Sequence, residues 1–90
     1  MEKTIITVVG KDQRGIIAGV CTFLAENGVN ILDITQTIVD GFFNMMMIVD
    51  TAEMKKSHVQ LSEELEAMGQ SLGVQIKAQR EEIFNKMHRI

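Results

Sequence analysis

The chain has 90 residues, 46% of them hydrophobic and 23% charged, which suits one folded domain: too short for a second, too apolar for disorder. Twelve acidic against nine basic side chains leave a net charge of -3, the wrong sign for gripping phosphate backbones, so no direct nucleic-acid partner is expected. A lone cysteine, Cys21, cannot form an internal disulfide, and neither a signal-peptide core nor a membrane-length apolar run is present; the expectation is a cytoplasmic protein with no membrane partner.

The stretch Thr4 to Val9 is rich in Ile, Val and Thr, is apolar on both alternate faces and is closed by Gly10, the pattern of a buried central strand. A polar loop, Gly10 to Gly15, follows. Ile17, Val20, Cys21 and Leu24 then recur at helical spacing until Asn27-Gly28 supplies a stop. From Asn30 to Val39, Leu32, Ile34 and Ile38 alternate with Asp33, Thr35 and Thr37, which predicts a half-buried strand, and Asp40-Gly41 marks a two-residue hairpin turn. The run Phe42 to Val49 is again apolar on both faces: Phe43, Met45, Met47 and Val49 on one, Phe42, Met46 and Ile48 on the other. Seven Met supply much of the core bulk in a chain with four Phe and no Tyr or Trp.

Ser57 with Gln60 three residues on resembles a capping box, and Leu61, Leu65, Met68 and Leu72 line one stripe until Gly73 ends this second helix. Val74, Ile76 and Ala78 alternate with Gln75, Lys77 and Gln79, an edge strand with one wet face. In the tail, residues 81–90, Ile83, Met87 and Ile90 fall at helical spacing, with acids first and bases last, as the helix dipole prefers. The order is βαββαβ. It predicts a ferredoxin-like α+β sandwich: a four-stranded antiparallel sheet, two helices on one face, and a short C-terminal helix.

One loop has a specific look. Gly10-Lys11-Asp12-Gln13-Arg14-Gly15 leaves a strand and opens a helix, whose free N–H groups can hold a carboxylate or phosphate. The two glycines would let a ligand approach the backbone, and Asp12 would either cap the helix or accept from a ligand ammonium. The spacing is neither GxGxxG nor a P-loop.

Gly10-Lys11-Asp12-Gln13-Arg14-Gly15-Ile16-Ile17-Ala18, followed by Asn27-Gly28-Val29-Asn30-Ile31, resembles the ACT domain, whose usual loop reads Asp-Arg-Pro-Gly-Leu-Leu before a helix and an Asn-Ile strand start. The resemblance covers roughly residues 3 to 80, so residues 1–80 are taken as the domain and 81–90 as the tail. It is nearest to small free-standing ACT proteins of prokaryotes, similar to the modules of the glycine cleavage system transcriptional repressor. Arg14 stands where proline is usual, and Gln13 where arginine is usual. The resemblance implies a regulatory domain that binds an amino acid where domains meet. Carried over by position, Asp12, Gly15 and Ile16 fall in the ligand loop, and Asn30 and Ile31 at a strand start that faces a neighbouring subunit's loop. With Gly10 and Arg14 these form the candidate ligand set.

The other singular residues have plainer readings. Cys21 lies on the core face of the first helix, with no His in its motif to make it a nucleophile. His58 and His88 form no ligand cluster, so no metal or cofactor is expected, and Glu63, Glu64 and Glu66 read as a solvated helix face. The sequence thus predicts a non-enzymatic small-molecule sensor, homodimeric because Phe42, Met46 and Ile48 need cover, and acting on a separate protein. The competing reading is an acylphosphatase-like hydrolase on the same fold, with Arg14 gripping phosphate, but no residue is evidently placed to orient water.

Overall fold

The computed structural model describes residues 1–11 and 15–82. Strand β1 (Lys3–Gly10) buries Thr4, Ile6 and Val8 beneath two helices. Its last residue is glycine for a packing reason: a Cβ on Gly10 would lie 2.3 Å from Val74 Cγ1. Helix α1 (Ile16–Glu26) buries Ile16, Val20 and Leu24, one residue per turn, while Ile17, Cys21 and Phe23 pack at the edge of the core. Its end is tied by Asn27, whose side-chain amide donates to the Phe23 carbonyl at 2.8 Å.

Strand β2 (Asn30–Val39) joins β3 (Phe42–Asp50) through Asp40 and Gly41, at φ 56° and 83°. Two successive left-handed residues make the primed turn that matches strand twist. Helix α2 (His58–Leu72) starts at Ser57, whose Oγ accepts from the Gln60 N–H at 3.1 Å, and the last strand, β4, runs Gln75–Arg80. A Cβ on Gly69 would lie 2.8 Å from the Val74 carbonyl oxygen, so a side chain there would push α2 off β4.

The sheet order is β2-β3-β1-β4, antiparallel throughout, with β1 and β3 central as the two-faced apolar patterns predict. Phe43, Met45, Met47 and Val49 of β3 join Ile76 and Ala78 of β4 on the helix side, against Leu61 and Leu65 of α2. This is the ferredoxin-like βαββαβ sandwich expected.

Three local expectations are corrected. β2 is not half-buried: a bulge between Ile31 and Asp33 interrupts the alternation, and Ile38, though opposite buried Phe43, is 60% exposed. Only Ile31 and Ile34 of this strand pack against the core. β1 is sealed on its second face only at Ile5; Val9, at the other end, is exposed. Leu72, placed on the buried stripe of α2, is exposed, and Gly69 takes the close contact with β4 instead. Residues 83–90, which hold most of the predicted terminal helix, lie outside the described residues.

Candidate ligand site

β1 runs toward the loop and hands the chain to α1 across the layer, so the loop sits at the Gly10 end of the sheet. Asp12, Gln13 and Arg14 lie outside the described residues. Gly15 is the N-cap of α1, in the left-handed region at φ 76°, with open space around the position of a Cβ. Among the described residues no side chain caps this helix, and its first turn holds no acid, so the amides of Ile16, Ile17 and Ala18 have no intrahelical acceptors. They carry the partial positive charge of a helix start.

The expected residues divide in their roles. Gly15 offers open backbone. At Gly10 the position of a Cβ is filled by Val74, which gives this glycine a packing role. Ile16 has its side chain in the core and can offer only its N–H. The N-cap position falls on Gly15, three residues after Asp12, which removes Asp12 from the conventional cap position. Beside the loop, the Lys11 ammonium lies 5.6 Å from the centroid of the Phe42 ring, a cation–π contact over the outer sheet face.

Asn30 and Ile31 are not near this loop in the same chain. Asn30 pairs with Asp50, which pairs with Lys3; Gly10 pairs with Phe43, which pairs with Ile38. The two halves of the expected site therefore stand at opposite ends of the sheet, about 23 Å apart at the usual rise per strand residue.

The Asn30 end carries polar features that the sequence reading missed. The Asp50 carboxylate accepts from the Ala52 N–H at 3.0 Å and the Glu2 N–H at 3.1 Å; these bonds, chiefly that from Ala52, hold its carboxyl below the ordinary 3.8. Thr4 and Thr51 are buried with their hydroxyl oxygens 3.4 Å apart, and Thr51 also donates to the Glu2 carbonyl at 3.3 Å. His58 opens α2, its pKa pushed down by burial and then by the charge of Arg80. An open cleft of about 570 Å³ is lined by Thr4, Thr51, His58 and Arg80. The usable signal was phase: Arg80 follows Ile76 and Ala78 on the helix-facing side of β4.

Among the described residues no group of His, Cys, Asp and Glu side chains could hold a metal ion, and no helix is long and apolar enough to cross a membrane. The chain is 60% identical over the full length of both sequences to a UPF0237 protein of Bifidobacterium longum. It superimposes with a TM-score of 0.82 on an ACT domain protein from Streptococcus pneumoniae, 49% identical, covering 92% of this chain and 93% of that one. A proposed glycine cleavage system transcriptional repressor, at 23% identity and a TM-score of 0.72, shares the fold across 88% of this chain and 45% of its own. The ACT domain family profile matches residues 2–79, and the chain belongs to the ACT domain family, whose members are generally small-molecule-binding regulatory domains.

Proposed function

We propose that this protein is a non-catalytic cytoplasmic sensor of a small amino acid, working as a homodimer whose effector is a separate protein. The observation that carries this reading is the separation of the two half-sites. A helix start with open backbone at Gly15, uncapped by any described side chain, lies at one end of the sheet and Asn30 at the other. A two-fold axis perpendicular to the strands reverses one subunit against its partner. It thereby brings the loop of each to the strand start of the other, forming two equivalent composite sites. The α1 amides would take the ligand carboxylate; Asp12 would take its ammonium and the partner's Asn30 would fix its orientation.

The outer sheet face supports self-association. On that face Met46 is 39% and Phe42 44% exposed, apolar surface along β3 that neither α1 nor α2 covers. Such a patch on a domain this small is a natural subunit contact. Ligand binding would act on the effector only through its different affinity for the alternative states of the dimer.

A thermal-shift screen against amino acids, headed by glycine and serine, tests the function. A ligand that binds only the folded dimer raises the melting temperature in a concentration-dependent way. The reading expects at least one such amino acid and no hydrolysis of acyl phosphates. Acyl phosphate turnover abolished by Arg14→Ala would replace the sensor with a hydrolase.

A further inference from the structure

The turn that carries the chain from α1 into β2 contains Asn27-Gly28, the one Asn-Gly pair in the sequence. Such a pair is chemically labile, because glycine has no side chain to keep its backbone nitrogen away from the carboxamide of the residue before it. The glycine nitrogen attacks the Asn Cγ, the Cγ–Nδ2 bond breaks, and ammonia leaves with the proton lost from the glycine amide, closing a five-membered succinimide. Water then opens the ring at either carbonyl. The products are aspartate and its isomer, in which the backbone runs through the side-chain carbon.

The turn requires both residues. Gly28 is left-handed at φ 76°, and a Cβ on it would lie 3.0 Å from the Glu53 carbonyl oxygen, so any other residue is strained there. Asn27 is half-buried, and its side chain closes α1 through the bond from Nδ2 to the Phe23 carbonyl.

The same turn holds the reacting atoms apart. The Gly28 N–H donates to the Ala25 carbonyl at 3.2 Å, and the Asn27 carbonyl accepts from the Lys55 N–H at 3.2 Å, which fixes the peptide plane between the two residues. Ring closure needs that plane rotated until the Gly28 nitrogen eclipses the Asn27 Cβ. With Asn27 at ψ 10°, the nitrogen stands more than a right angle from that position, and the rotation breaks both backbone bonds.

We propose that Asn27 is a conditional deamidation site, closed in the folded α1–β2 turn and open once that turn unfolds, and that its product cannot close again. A carboxylate at position 27 sets an acceptor against the Phe23 carbonyl and a negative charge at the negative end of α1. The isomer lengthens the backbone just before Val29, which is buried. Opening of the turn is thereby recorded as a permanent change in the chain.

The test is peptide mapping by mass spectrometry of the wild-type chain held in mildly alkaline buffer, folded or unfolded in guanidinium chloride, reading the one-dalton gain that follows exchange of ammonia for water. Asn30, Asn44 and Asn85 precede larger residues, and Asp40-Gly41 passes through the same ring without a change of mass, so the signal belongs to Asn27. The gain should appear at least tenfold faster in the unfolded chain than in the folded one. Asn27→Gln, whose ring would have six members, should nearly abolish it at that position. The urea midpoint of Asn27→Asp should lie below those of the wild type and of Asn27→Ala, which loses the Phe23 bond without gaining a charge. Equal rates in the folded and unfolded chains overturn the closed site. A midpoint of Asn27→Asp equal to that of the wild type overturns the claim that the product cannot close.

Discussion

The two helices begin at opposite ends of the sheet and are built in opposite ways. α1 starts from a left-handed glycine, with no cap from a described side chain, beside open space; α2 starts from a serine that caps it, beside a cleft lined by Arg80, Lys3 and His58. The first offers backbone donors and little side-chain chemistry within its described residues. The second offers both. A site made mainly of backbone can hold a carboxylate but reads little else, so its selectivity has to come from another segment, and Asn30 is in reach only on a partner subunit.

The largest expected effect separates the two glycines of the loop. Gly10→Ala forces a methyl group into Val74 and should cost about 1–3 kcal/mol in urea unfolding, the usual range for overpacking. Gly15→Ala meets no neighbour but places a side chain in the left-handed region, at about 1–2 kcal/mol. Gly10→Ala should leave the ligand affinity of the remaining folded protein unchanged, by calorimetry.

At the helix starts themselves, Ser57→Ala should cost about 1 kcal/mol because it removes an observed cap. Asp12→Ala should cost much less stability while weakening amino-acid binding. Equal losses of stability from the two changes would mean that both helices are capped and that the contrast between them is false.

On the outer face, Met46→Asp puts a charge into the apolar surface along β3 and should weaken the dimer at least tenfold in sedimentation equilibrium, with the monomer fold retained by circular dichroism. A wild-type protein that stays monomeric at micromolar concentration would remove the dimer and with it the composite site.

The smallest effect is on pH dependence at the α2 end. His58 is held below its ordinary 6.5 in the folded chain, so the unfolded chain binds the proton more readily. Its contribution to stability is full above about pH 6.5 and declines as pH falls toward the folded value. Arg80→Gln removes the lesser of the two causes, so His58 should titrate closer to 6.5 and the decline should shrink. Urea midpoints compared between about pH 7.5 and about pH 5 read the change. Asp50, also lowered, acts in a separate window: its contribution is lost only as pH falls below the ordinary 3.8.

Much of this fold was legible because local signals agreed with one another. Alternation in β3 and β4, the spacing of Val20 with Leu24 and of Leu61 with Leu65, and the Asp40-Gly41 turn all select the same topology. β2 was misread because a bulge changes the phase of a strand without changing its composition, and Leu32 and Ile38 count as apolar wherever they point. The packing role of Gly10 was not legible, because a sequence does not show that Val74 fills the space of its missing side chain. The cleft at the start of α2 went unread since its parts, Lys3, Thr51, His58 and Arg80, come from segments far apart in the chain, none with a motif of its own.

The composite site is the central claim, and subunit mixing tests it most directly. Asp12→Ala and Asn30→Ala are made as separate homodimers and titrated with the amino acid that gives the largest thermal shift, alone and after mixing under conditions that exchange subunits. The account predicts that each variant alone loses binding. A heterodimer should regain one intact site, built from the loop of the Asn30→Ala subunit and the strand start of the Asp12→Ala subunit. Mixtures that recover no binding, from variants that each lost it, would contradict a site shared across the two-fold axis.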